Sequence, residues 1–259
     1  MLRRLGPVLV VMLAMLAACQ GAPTYSDPTD IITKGLDATA HLKSFHTSLA
    51  LSGTFSMPSS GGSFKLDSTS LEADVDIGAK QAHVTFAVPA FLGLTGEVLA
   101  IGSDLYVKTS MTGDKWSHQK NNMTGGSAAP SASLDTASAI KSIKDFLAKD
   151  GVVTTKLADV TCGDRKCYQI SVTVPSSLMK DAGAVASMDP STVFGDALVL
   201  NLLFDRENLW LTEMSTDVAS DKIGTFSATL SFSKFDEAVT LSPPPSADVT
   251  EGEFNLPLN

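Results

Sequence analysis

Positive charge, cysteine and the larger aromatic residues are scarce in this 259-residue chain, where 19 Lys and Arg face 28 Asp and Glu and there are 3 cysteines, 2 tryptophans and 3 tyrosines. A formal charge of −9 leaves no means of binding nucleic acid by neutralising phosphates. Catalytic motifs are missing as well: there is no Gly-x-Ser-x-Gly elbow, no glycine-rich phosphate loop and no His-Glu-x-x-His. Ser-x-x-Lys does occur, starting at Ser117, Ser138, Ser177 and Ser231, but 30 serines and 15 lysines give about two such matches by chance. No Ser-Asp-Asn accompanies them, and Lys108-Thr109-Ser110 only echoes the third motif of penicillin-binding proteins. His41, His46, His83 and His118 share no metal-ligand spacing and read as surface or half-buried residues on a helix end, two strands and a loop. The expectation is a protein that is not an enzyme and needs neither cofactor nor metal. Beyond residue 18 no apolar run approaches the ~20 residues that a membrane-spanning helix needs.

What is present begins at the N-terminus. Arg3 and Arg4 precede an apolar run from Leu5 to Ala18, broken by Gly6 and Pro7, that ends in Leu16-Ala17-Ala18-Cys19. The run is too short to span a bilayer and the small residues before Cys19 suit a signal peptidase, so residues 1–18 read as a secretory signal peptide. The Ala-Ala-Cys ending resembles the bacterial lipobox, whose cysteine carries a diacylglyceryl group on its thiol and takes a further acyl chain, such as palmitate, on the new amino end. That resemblance makes Cys19 the lipidation site and residues 19–25 a tether, and it places the protein on the extracytoplasmic face of the cell membrane. Two or three chains hold stably, whereas one, at ~0.8 kcal/mol per buried methylene, binds only marginally.

With Cys19 lipidated, Cys162 and Cys167 remain as an even pair in an oxidising compartment. Gly163-Asp164-Arg165-Lys166 reads as a four-residue turn that sets the two cysteines across a hairpin, and closing so short a loop contributes roughly 2 kcal/mol. The rival readings are a redox pair, which usually has two intervening residues, and half a metal site, for which the histidines supply no further ligands at a suitable spacing.

Asp27 as N-cap, Pro28 behind it and Ile32, Leu36 and Ala40 four residues apart predict a helix over Ser26 to Lys43. Strand alternation follows, with Phe45, Thr47, Leu49, Leu51, Gly53 and Phe55 on one face. Leu71, Ala73, Val75 and Ile77 alternate with acids, and beyond Gly78-Ala79-Lys80 the set Ala82, Val84, Phe86 and Val88 forms the second arm of a hairpin. Glu97 to Ile101 and Leu105 to Thr109 flank Gly102-Ser103-Asp104, and Trp116 sits on a short strand. Residues 121–133 read as a flexible loop, and Ser133 to Asp150 as the strongest helix, with Ile140, Ile143, Phe146 and Leu147 in phase. Tyr168, Ile170, Val172 and Val174 share a strand face, and Pro175 to Met188 is a weaker helix. Strands over Ala197 to Asp205, Leu209 to Val218 and Thr225 to Phe235 complete a domain spanning 26–242, before a Pro-rich tail over 243–259. So many amphipathic strands with three modest helices describe an α+β domain whose long antiparallel sheet must curl, with the helices on its concave face.

The lipobox and the opening helix running into Leu42-Lys43-Ser44-Phe45-His46 are two of four ordered features. The others are Gly102-Ser103-Asp104-Leu105-Tyr106-Val107-Lys108 followed by Lys115-Trp116, and Phe232-Ser233-Lys234-Phe235 followed by Val239-Thr240-Leu241-Ser242-Pro243-Pro244. In that order they resemble the LppX/LprA/LprF/LprG lipoproteins, relatives of the LolA and LolB lipid carriers; the Cys162 to Cys167 hairpin has no counterpart in that pattern. The resemblance covers most of the chain after the signal. It implies a strongly curved half-barrel sheet with helices around an apolar cavity, in which a monomer carries acyl chains of lipids or glycolipids and works with an envelope transporter. Candidate cavity residues are Phe45, Leu49, Leu51, Phe55, Val84, Phe86, Ile140, Ile143, Phe146, Leu147, Leu198, Leu200, Phe226, Leu230 and Phe232. An apolar inner face is equally a core, so the residues alone leave a solid and a hollow interior open. The alternative function is an envelope sensor or scaffold that binds a protein partner and has no lipid cavity.

Pro89 to Gly96 is an apolar connection where a polar one belongs, and Phe91, Leu92 and Leu94 either plug the end of the sheet or form a lip at the cavity mouth. The lipobox reading predicts that Cys19→Ser stays unprocessed or becomes soluble. Detergent-phase partitioning checks this: a variant that enters the detergent phase like the wild type refutes the lipid anchor.

Overall fold

A computed structural model describes residues 24–57, 62–90, 92–120, 136–179 and 189–252. The first helix, α1 (Pro28–Ala40), starts where the Asp27 carboxylate accepts from the backbone N–H of Thr29 at 2.7 Å and of Asp30 at 3.3 Å. Strands β1 (Ser44–Met57), β2 (Gly62–Lys65), β3 (Thr69–Asp76), β4 (Gln81–Val88), β5 (Leu94–Ile101), β6 (Asp104–Thr109) and β7 (Trp116–Lys120) follow. After α2 (Thr136–Leu147) come β8 (Val153–Lys156), β9 (Val160–Cys162), β10 (Arg165–Pro175) and two short helices, α3 (Ser176–Met179) and α4 (Pro190–Phe194). The chain ends in β11 (Ala197–Asp205), β12 (Leu211–Ser220), β13 (Gly224–Ser233) and β14 (Val249–Glu251).

The strands form one sheet in the order β14-β7-β6-β5-β4-β3-β1-β13-β12-β11-β10-β8, with β2 beside β1 and β9 beside β10. Pairing is antiparallel except between β14 and β7. The sheet is not closed, and the architecture is the expected α+β half-barrel. Its bend shows at Gly53: β1 pairs with β3 before this residue and with β2 after it. Gly53 has φ +99°, and a Cβ there would lie 2.3 Å from the Thr225 carbonyl oxygen, so only glycine fits where the strand turns.

The helices gather on one half of the sheet. Ile31, Ile32 and Leu36 of α1 pack with Tyr168, Ile170, Val172 and Val174 of β10 and with Leu202 and Phe204 of β11. Gly35 brings α1 down onto the Phe204 ring, which a Cβ at that position would meet at 2.4 Å. A smaller cluster joins Val193 of α4 to Val218 and Ile223.

Several expectations are corrected. The turn between the cysteines has two residues, Gly163 and Asp164, because Arg165 already pairs with Cys162; Cys162 and Cys167 are therefore diagonal neighbours, and they are disulfide-bonded with Cα atoms 5.9 Å apart. β5 begins at Leu94, which shortens the apolar connection. The weak helix expected from Pro175 is four residues long within the described residues, and the loop over 121–133 lies outside them. His118 is on β7, and the Pro-rich tail re-enters the sheet as β14.

A histidine holds that last strand. His118 Nε2 lies 2.8 Å from Asp104 Oδ1 and its Nδ1 2.8 Å from Glu251 Oε1, beneath the stacked ring of Tyr106. Both ring nitrogens face carboxylates, so both must donate, which requires the imidazolium form. The hydrogen bond to Asp104, then that to Glu251, raises the His118 pKa above its ordinary value. Since the folded value is the higher one, the contribution to stability is complete below the unfolded value of ~6.5 and is lost as pH rises through the folded value. The melting-temperature advantage of the wild type over His118→Gln is therefore expected to be largest near pH ~6 and to shrink toward pH ~9. A pH-independent difference contradicts the clamp.

Candidate functional site: an open apolar sheet face

Side chains of directly paired residues share one face of a sheet, so the strand register shows what that face is made of. One row runs Ile170, Leu202, Met214, Leu230, Leu49, Leu71, Phe86 from β10 to β4. A second runs Phe232, Thr47, Ala73, Val84, Val98, Val107 from β13 to β6. The opposite face carries His46, Asp74 and His83 in one row and Ser231, Ser48 and Glu72 in another. The two rows thus place apolar side chains of nine strands on one side, while the other face keeps Leu99 and Leu203 among its polar residues.

Burial along the first row changes where the helices stop. Ile170 is 0% and Leu202 8% exposed, beneath α1, whereas Met214, Leu230, Leu49, Leu71 and Phe86 are only half-buried. Every residue of β4 is half-buried, on both faces. Phe45, Leu49, Leu51, Val84, Phe86, Leu230 and Phe232 belong to neither packed cluster of the described residues, although Phe45 and Phe232 meet edge to face at 6.0 Å. Phe55 and Phe226 pack against the smaller cluster, and Ile140, Phe146, Leu147, Leu198 and Leu200 against the larger one. Ile143 departs from its helix partners and is 44% exposed. Leu71 and Met214 were not among the expected site residues, yet the register puts both in the row.

The rim of this face is apolar too. Leu92 stands 99% exposed at the β4–β5 tip, in a left-handed conformation at φ +53°, and Met111 is 54% exposed at the β6–β7 tip beside it. Ser110 ties the two tips together, its N–H donating to the Thr95 carbonyl at 2.9 Å and its hydroxyl accepting from Thr95 N–H at 3.1 Å. Leu94 is a half-buried strand residue opposite Val88, and Phe91 and Cys19 lie outside the described residues. A depression of about 450 Å³ at the same rim is lined by Thr85, Phe86, Glu97, Lys108, Ser110 and Asp114 among others.

The polar face offers no reactive cluster. His46 lies 2.8 Å from Asp74 and His83 3.5 Å from Glu97, each a pair between neighbouring strands. No three His, Cys, Asp or Glu side chains are placed to hold a metal ion among the described residues.

Two crystal structures share this architecture over nearly their whole length. LprF from Mycobacterium bovis aligns at 17% identity and a TM-score of 0.55, covering 86% of this chain and 99% of its own. The Mycobacterium tuberculosis lipoprotein LppX aligns at 20% identity and a TM-score of 0.51, covering 84% of this chain and 100% of its own. The fold is that of LprF and LppX. No protein-family model matches the sequence, and no curated protein matches it significantly. At such identities the LprF/LppX fold is carried by the placement of glycine, apolar and polar residues along the strands, and the site rests on this chain's own register.

If the β1–β4 half of the row is open, truncation there must cost less than under the helices. Ile170→Ala is expected to lose about 3–5 kcal/mol and Leu49→Ala about 1–2 kcal/mol in urea denaturation. Equal losses mean that the whole face is packed as core.

Proposed function

We propose that the chain is a lipoprotein, anchored through Cys19 on the extracytoplasmic face of the membrane, that holds acyl chains of lipids or glycolipids on its open apolar face and shields them on their way through the envelope. The observation that supports this reading most is the single register row that is core at Ile170 and half-exposed at Leu49 and Phe86. A globular domain does not leave a multi-strand apolar face half-covered unless something uses it. An acyl chain fits because burial contributes ~0.8 kcal/mol per methylene, so a long tail binds usefully after ordering costs without any directional contact. No bond is made or broken, in keeping with the absence of catalytic motifs.

Leu92 is the lip of this mouth. Its full exposure fits contact with passing acyl chains and does not fit a plug in the core.

Native mass spectrometry of protein purified without detergent is expected to show adducts with lipid masses. A bare polypeptide mass, together with no uptake of an apolar dye, refutes the carrier and favours a sensor or scaffold that binds a protein on this face. Leu92→Ser is expected to slow acyl transfer between vesicles several-fold while moving the melting temperature by less than about 2 °C, since an exposed side chain holds little of the fold. A large drop in melting temperature with unchanged transfer makes Leu92 structural.

A further inference from the structure

The tether leaves the domain at a definite place. Tyr25 N–H donates to the Tyr168 hydroxyl at 3.1 Å, and the two rings meet edge to face at 6.2 Å. Only six peptide steps separate Tyr25 from Cys19, so even fully extended they reach about 20 Å. A lipid on Cys19 therefore keeps the Tyr25–Tyr168 corner close to the bilayer surface, whatever the rest of the domain does.

Five of the chain's 19 cations lie around that corner. Lys34 lies 5.8 Å from the Tyr25 ring centre, and Lys156 and Arg206 lie 5.4 and 5.2 Å from that of Tyr168. Arg165 and Arg206 are the only arginines after Arg4 in the sequence, and the structure brings both here, with exposed Lys166 beside Arg165. Asp159 and buried Asp205 are already engaged, Asp159 with Lys156 at 2.6 Å and Arg206 at 3.2 Å and Asp205 with Arg165 at 3.3 Å. Asp164 and Glu207 are exposed acids on the same turns and Asp27 and Asp30 lie at the start of α1 beside Tyr25, so five cations face six carboxylates and the corner is near neutral on a protein whose formal charge is −9. On a chain of net negative charge, a corner so near neutral is only weakly repelled by anionic lipid.

We propose that the Tyr25–Tyr168 corner, with Lys34, Lys166, Arg165 and Arg206, is the face that rests on the anionic headgroups of the membrane holding the anchor. Guanidinium groups suit phosphate, and tyrosines suit the headgroup level. The proposal rests on the Cys19 anchor. Tyr168 lies near the start of β10, whereas Leu92 and Met111 cap the opposite ends of their strands, so this pose turns the mouth away from the anchoring membrane and toward the outer envelope.

The two tryptophans report the pose. Trp210 shares the β11–β12 turn with Arg206, its carbonyl accepting from Asp205 N–H at 2.9 Å, and Trp116 sits at the mouth end of β7. The experiment takes lipidated full-length Trp116→Phe and Trp210→Phe variants in vesicles of phosphatidylcholine and phosphatidylglycerol brominated near the headgroup. Quenching of Trp210 is expected to exceed that of Trp116 at least twofold, and R165E/K166E is expected to reduce the difference. Flotation with the vesicles tests the anchor separately, and a chain that fails to float overturns both readings. A chain that floats with Trp116 quenched as much as Trp210, or more, overturns the orientation alone.

Discussion

The structure depends on one constraint, the two-residue pleat of paired strands, which carries a choice of face from each strand to the next without loss. Because Ile170, Leu202, Met214, Leu230, Leu49, Leu71 and Phe86 occupy a single register row, the chain cannot bury one without aligning all. Such a face needs a cover along its whole width. The helices packed on it cluster over β8 to β12, so the same row that forms the core at one end is only half-buried at the other.

Under the proposed function, this division separates stability from binding. The helix-covered half contains Tyr168, Phe204, Ile31 and Ile170, all fully buried, and the capped helix α1 seated through Gly35. That half holds the fold, and the proposed ligand would lie over Leu49, Leu230 and Phe86, which belong to neither packed cluster of the described residues. The edges are treated differently as well: β14 and its histidine clamp close the β7 edge, and the disulfide-linked β9–β10 hairpin stiffens the strand next to the other edge. An open curved sheet without such devices exposes unpaired backbone to other chains.

Much of the fold was legible because strand alternation is strict wherever one face is wet. Asp74 and Glu72 between Val75, Ala73 and Leu71 marked β3, and Ser227 to Ser231 between Phe226 and Phe232 marked β13. The cap at Asp27 marked α1. Pairing over long distances was not legible. Nothing local in Val249-Thr250-Glu251 announces a strand, since its partner is β7 and its anchor is His118. Arg165 and Lys166 look like turn residues by charge, yet they pair with Cys162 and Thr161. By sequence Leu94 reads with Phe91 and Leu92 as part of the apolar connection Pro89 to Gly96, and only the structure shows the Phe86 ring lying against Gly96, where a Cβ would meet it at 2.4 Å. Leu71 and Met214 joined the site through register alone, and Ile143 is exposed although it lies in phase with Ile140 and Leu147.

The central claim is that acyl chains lie on the half of the apolar face that the helices leave open. Photocrosslinking with a fatty-acyl probe bearing a diazirine near the chain end tests it most directly, because the label reports which residues touch the tail. The account predicts labelled peptides from β1, β3, β4 and β13, centred on Leu49, Leu71, Phe86 and Leu230, and little label on Ile170 or Val172. Label confined to the β10 and β11 core, or spread evenly over both faces of the sheet, would contradict it.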